Sequence, residues 1–182
     1  MAEGAYRGSA SHARRPRPAT PQVQKVLKKF PDTKLCVTGH SLGAALSVLC
    51  GIRLALKFPD HNVQVINFGC PKVGNAAFAK LVNSRKNLRV HRVAHERDVV
   101  TRVPNGLFTH AGHTLQIGGE DFKPRAFKWH ASRSAMTNWN PLRGRVTDHF
   151  MQGYLSALHS HKHSGKKCAG EKPWVSEYDT QQ

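Results

Sequence analysis

A serine between two glycines, in Gly39-His40-Ser41-Leu42-Gly43, is where residue types and spacing in this sequence first point to chemistry. It lies inside VTGHSLGAALSVL, residues 37–49, at the edge of an apolar segment. The pattern G-x-S-x-G has chemical meaning in one setting, a sharp turn between a strand and a helix; elsewhere it is an ordinary Gly/Ser turn. Glycines two residues to either side let the backbone crowd into such a turn. The turn lifts the serine hydroxyl clear and sets it near a helix N-terminus. The backbone N–H of Leu42, next after the serine, then faces the place where an oxyanion develops during acyl transfer.

A serine hydroxyl is a weak nucleophile at neutral pH. An imidazole has to accept its proton, and a carboxylate has to orient the imidazole. The chain order that goes with this kind of turn is serine, acid, histidine. Between Ser41 and the last histidines the acids are Asp60, Glu96, Asp98, Glu120, Asp121 and Asp148. Asp98 directly follows a predicted strand, on the side of the sheet where Ser41 is expected, and is the candidate acid. Asp60 belongs to the turn FPDHN, Glu96 precedes a basic residue and suits solvent, and Asp148 reads as a helix cap. Twelve histidines compete for the role of base. His159, His161 and His163 fall in a basic tail, His110 and His113 border a predicted strand, and His40 is expected to diverge from its neighbour at the turn. His149 comes after the acid and opens a C-terminal helical pattern, so order and position favour it.

These residues need elements to hold them. KLCVTG (34–39) is a compact β-type run ending at glycine, and LGAALSVLCGIRLALKF (42–58) is apolar over several helical turns, which reads as a buried helix. VQVINFG (63–69), NAAFAKLVNS (75–84) and LRVHRVAH (88–95) read as strand, helix and strand. Such alternation predicts an α/β fold with a mostly parallel sheet and flanking helices. Right-handed crossovers line up the C-terminal strand ends on one side, where Gly39, Gly69 and the loop after His95 all fall. HAGHTLQIGG (110–119) supplies one more strand, residues 120–145 show no clear period, and DHFMQGYLSALHSH (148–161) is helical through Phe150, Tyr154, Leu155 and Leu158, with Asp148 as N-cap. Upstream, Thr20 and Pro21 open a short amphipathic helix carrying Val23, Val26, Leu27 and Phe30. The expected organisation is a flexible basic leader over 1–20, one domain over 21–160 and a loose basic tail over 161–182.

At 182 residues and 39% apolar composition the chain suits one domain with a real core. No apolar run approaches the roughly 18 residues a membrane span needs. The formal charge of +17 is spread along the chain, without interleaved aromatics, which argues against a nucleic-acid platform. Cys36, Cys50, Cys70 and Cys168 lie far apart and form no CxxC pair. The first twenty residues lack the apolar stretch of a secretory signal, which leaves two readings open, an intracellular chain, slightly favoured, and a truncated one.

Taken in order, KKFPDTKLCVTGHSLGAALSVL, VINFGCPKVGN, RVAHERDVVTRVP, FTHAGHTLQI and DHFMQGYL resemble the successive blocks of the class 3, or fungal-type, lipases of the α/β-hydrolase superfamily. The resemblance runs from about residue 21 to 158. It implies Ser41 as nucleophile, Asp98 as the acid of the family's D-x-V/P-x-R-x-P segment and His149 as the base. It also implies hydrolysis of carboxylic esters, typically acylglycerols, through an acyl-enzyme, without metal or cofactor and with transient contact to a lipid surface. AYRGSAS (5–11) is similar to the family's F-R-G-S/T-x-S block, which implies Ser9 as the second oxyanion donor beside the N–H of Leu42. Only forty residues precede Ser41, whereas the family carries a longer segment with strands and a lid helix. An α/β-hydrolase domain incomplete on its N-terminal side is therefore expected. The alternative is a lipase-like remnant that binds lipid or a protein partner without catalysis.

Overall fold

The structure is a computed structural model that describes residues 19–118, 128–130 and 144–164. Ser9, Glu120, Asp121, Cys168 and most of the two expected tails lie outside the described residues. The chain divides into two units, Met1–Thr33 and Lys34–Gln182.

In the first unit, α1 spans Ala19–Lys29. It begins ahead of the expected start, so Pro21 lies within the first turn, where a missing N–H leaves no helical bond unmade. Two backbone bonds close it, Phe30 N–H to Val26 C=O and Thr33 N–H to Phe30 C=O.

The second unit is built on strands β1 (Leu35–His40), β2 (Val63–Phe68), β4 (Leu88–His95), β6 (His113–Ile117) and β7 (Lys128–His130), in the spatial order β1-β2-β4-β6-β7. The first four are parallel and β7 is antiparallel to β6. The minor strands β3 (Gly74–Asn75) and β5 (Phe108–Thr109) pair antiparallel beside the sheet. Helices α2 (Leu42–Lys57), α3 (Ala76–Asn83) and α4 (Met151–Ser164) complete the unit. The sheet confirms the mostly parallel α/β fold. β7 falls in the stretch that showed no sequence period.

Strand alternation assigns the faces. Val63, Val65, Leu88 and Val90 are buried on the face covered by α2, whose Gly51 lies against Val65. Phe68 and Val93 point the other way and, with Ile117 and Leu115, pack against Tyr154, Met151 and Leu158 of α4. Asn67 is a polar exception on the α2 face. Its amide donates to the Ala44 carbonyl (3.2 Å) and to Ser47 Oγ (3.1 Å), tying the start of α2 to the end of β2.

Two expectations are corrected. α2 is buried on one face only, since Leu42, Leu46, Leu49 and Leu56 are exposed among the described residues. Its sequence is apolar all round, but only the face toward the sheet finds a partner. The C-terminal helix starts at Met151, after a 3-10 turn over Thr147–His149, and runs on through Ser164 into the stretch expected to be loose. Asp148 does not cap it; its carboxylate accepts the Arg97 backbone N–H at 3.1 Å.

Candidate active site

β1 ends at His40 and α2 begins at Leu42, so a single residue, Ser41, turns the chain from strand to helix. It does so at φ 58°, ψ −126°. A non-glycine residue in that region is strained by about 1–3 kcal/mol, and surrounding bonds must hold it there. Ser41 N–H donates to Phe68 C=O (3.1 Å), while Ser41 C=O accepts the N–H groups of Ala44 (3.0 Å) and Ala45 (3.3 Å). Gly39 permits the turn, because a Cβ there would press into the Gly43 carbonyl. The strain leaves Ser41 Oγ projecting at the strand ends.

Asp98 follows β4 in a tight turn, with its N–H on His95 C=O (2.9 Å) and its C=O accepting the Thr101 hydroxyl (2.8 Å). The residue is 1% exposed. A buried carboxylate needs donors, and this one has three. Oδ1 accepts Val100 N–H at 2.8 Å. Oδ2 accepts His149 Nδ1–H at 2.9 Å and the Tyr154 hydroxyl at 2.6 Å.

The segment bearing His149 is latched to the end of β4 by several bonds. Arg145 N–H donates to Arg97 C=O (2.9 Å), Arg97 N–H to the Asp148 carboxylate, and His95 Nδ1–H to Asp148 C=O (3.0 Å). The turn closes on itself through His149 N–H to Val146 C=O at 3.0 Å. Held this way, the imidazole reaches in both directions. Its Nδ1–H faces Asp98, which leaves Nε2 to accept the Ser41 hydroxyl at 2.8 Å. The acceptor-only carboxylate requires that tautomer.

Sequence residues Ser41, Asp98 and His149 are therefore brought together, in an unbroken chain of hydrogen bonds. Leu42 lies at the first position of α2, where an amide has no carbonyl one turn back to bond and is available to a negative charge. Its side chain is 70% exposed. Asp60, Glu96 and Asp148 are not part of the chain of bonds. His110 is held instead by the Thr101 carbonyl at 2.7 Å, and burial, helped by nearby Arg92, pushes its pKa down to about 3. Among the described residues, no group of three or more His, Cys, Asp or Glu side chains is placed to hold a metal ion.

Three neighbours were not foreseen in these positions. His40 does not turn away from the site: its ring stacks on His149 (centroids 4.6 Å apart, planes at 26°), and its Nε2–H donates to the His149 carbonyl at 2.8 Å. Tyr154 read only as part of an apolar helical pattern, yet its hydroxyl ends on Asp98. Gly69, with φ +60°, passes so close that a Cβ would stand 2.9 Å from Asp98 Oδ2 and 3.0 Å from His149 Nδ1. The only sequence signal for these was position: one residue before the serine, five after the histidine, and the glycine directly after β2.

A mostly parallel sheet with a strained serine between strand and helix, facing an aspartate from a later strand end and a histidine from the turn before the last helix, defines the α/β-hydrolase fold. The family model Lipase (class 3) matches residues 10–108. The chain belongs to the class 3 lipase family. It is 41% identical over 90 residues to phospholipase A1-IIdelta of Arabidopsis thaliana, an alignment covering 47% of this chain and 22% of that protein. It is structurally similar to the triacylglyceride lipase of Rhizomucor miehei (TM-score 0.63, 30% identity, 71% of this chain and 51% of that one). A further triacylglycerol lipase structure, described as having a serine-protease triad as its catalytic centre, matches with TM-score 0.62 and 31% identity over the same shares, 71% and 51%. The chain thus spans about half the length of these solved relatives.

Proposed function

We propose that this chain carries the catalytic centre of a serine carboxylic-ester hydrolase acting on acylglycerol-type lipids. Ser41 is the nucleophile, His149 the general base and acid, and Asp98 the group that orients His149. The observation that carries this reading is the chain of hydrogen bonds from Ser41 Oγ through His149 to buried Asp98. As Ser41 Oγ bonds to the acyl carbon, its proton passes to His149 Nε2, and the carbonyl oxygen takes the negative charge beside the Leu42 N–H. The C–O bond to the alcohol then breaks, and Nε2 returns the proton to the leaving oxygen. Water repeats the sequence on the acyl-enzyme and releases the carboxylic acid. Ser9, assigned by its sequence block alone, is the second oxyanion donor in this reading. Exposed Leu42 and Phe150 (60% exposed) follow Ser41 and His149 directly and favour an apolar acyl substrate.

The test is hydrolysis of nitrophenyl esters of short and long acyl chains by the parent and by Ser41→Ala. The expected result is loss of turnover in the variant by at least about 10³-fold; equal rates would remove Ser41 from the mechanism. A second reading, a lipase-like chain that binds lipid or a protein without catalysis, draws on the half-length match to the solved relatives. A fluorophosphonate probe separates the two. Covalent labelling of Ser41 supports the hydrolase, and folded protein that stays unlabelled supports the binder.

A further inference from the structure

We infer that the Tyr154 hydroxyl is a positioning group for the acid–base pair: it holds the Asp98 carboxylate toward His149 and, by sharing its charge, sets the basicity of the imidazole. The inference rests on reading Ser41, His149 and Asp98 as a working triad. Oδ2 of Asp98 accepts two hydrogen bonds, and the phenol's is the shorter, 2.6 Å against 2.9 Å from His149. Tyr154 is 0% exposed, and its ring is fixed against Phe68 (6.0 Å, 85°), His95 (5.3 Å, 50°) and His40 (6.0 Å, 74°). It has little freedom to point elsewhere. Burial and the adjacent carboxylate push the phenol's pKa upward, so it stays a donor throughout the working pH range. Because His149 and Tyr154 lie on one continuous segment, the tyrosine also fastens the element bearing the base to the turn bearing the acid.

A donor to a carboxylate lowers its basicity and its attraction for a neighbouring cation. Removing the hydroxyl therefore strengthens the hold of Asp98 on protonated His149. The groups facing this pair are His40 against His149, His95 against Tyr154, and Asp148 one residue away along the turn. All remain in Tyr154→Phe, so a change in titration reports the hydroxyl.

The experiment is an NMR titration of the histidines in the parent and in Tyr154→Phe, with His149 assigned by loss of its signal in His149→Gln. The expected result is an upward shift of the His149 pKa by about one unit, a tenfold change in its protonation equilibrium. In ester hydrolysis kcat falls by up to about tenfold on the acid limb of the pH profile, which moves up, and KM stays unchanged. In an Asp98→Ala background the same substitution is expected to change neither quantity. A folded Tyr154→Phe with an unmoved His149 titration overturns the inference. If Tyr154→Phe does not fold, 3-fluorotyrosine at position 154 keeps shape and hydroxyl while strengthening the donor. It is expected to move His149 downward, and no movement overturns the inference equally. The titration needs no turnover, so the two readings fail separately. Unimpaired Ser41→Ala rejects the triad, while an inactive Ser41→Ala beside an unchanged Tyr154→Phe titration rejects only the role of Tyr154.

Discussion

Gly69 shows how much at this site depends on a single missing atom. Its φ of +60° is one that L side chains rarely adopt, and the space its Cβ would fill already holds Asp98 Oδ2 and the His149 ring. In Gly69→Ala either the backbone moves or the two side chains do, and a displacement of about 1 Å at reacting groups costs about 10²-fold in rate. Ester hydrolysis by Gly69→Ala is therefore expected to fall by about 10² or more, with stability in urea lower by about 1–3 kcal/mol. A variant with the parent's rate would show that the contact does not confine the triad. His40 adds a second restraint: its stacked ring and its bond to the His149 carbonyl limit how far the imidazole swings away from Ser41.

At the scale of elements, α2 has two tasks: it presents Ser41 at its start and covers the sheet along its length. The second depends on Gly51, which lets the helix approach Val65 and Leu88 closely. Gly51→Ala sets two effects against each other. Alanine is worth about 1 kcal/mol more than glycine inside a helix, whereas a methyl group driven into the Val65 side chain costs about 1–3 kcal/mol as overpacking. The contact is tight enough for packing to win, so urea unfolding is expected to show net destabilisation by up to about 2 kcal/mol. A more stable variant would mean that α2 shifts outward without loss. The bonds among β4, the Asp98 turn and the Thr147–His149 turn form a second such joint, which matters for chemistry because it fixes the distance between acid and base.

For the molecule as a whole, buried His91 and half-buried His110 tie stability to pH. Burial, with His113 and Arg89 nearby, lowers the His91 pKa from 6.5 to about 4, and His110 falls to about 3. Both bind protons less readily when folded, so the unfolded chain takes up more protons once pH drops below 6.5. Their contribution to stability is intact above that pH and is lost as pH falls toward the folded values, with a slope of about 1.4 kcal/mol per pH unit for each histidine. Urea denaturation from pH 7 to pH 5 is expected to show this fall, and His91→Phe is expected to make the slope shallower by one histidine's share. An unchanged slope in the variant would assign the pH dependence to other groups. The charge of +17 adds self-repulsion to the compact state and makes acid conditions less favourable still.

The sequence alone determined what depends on local pattern and order. The alternation of β-type and helical runs specified a parallel α/β sheet, and Gly39-His40-Ser41-Leu42-Gly43 between a strand and a helix specified a strained turn. Asp98 was singled out because it directly follows a strand whose end the topology puts on the side of Ser41, and His149 because it comes after the acid and opens the C-terminal helical pattern. The tertiary structure decided what depends on neighbours distant in sequence. The hydroxyl of Tyr154 on Asp98, the His40 ring on His149 and the close passage of Gly69 arise only when β1, β2, β4 and α4 converge. β7 was hidden because a strand of three residues, Lys128–His130, is too short to show an alternation of its own. Periodicity reports which face of an element is apolar, but which side chain meets which is a property of packing, and here packing supplies the support around Ser41.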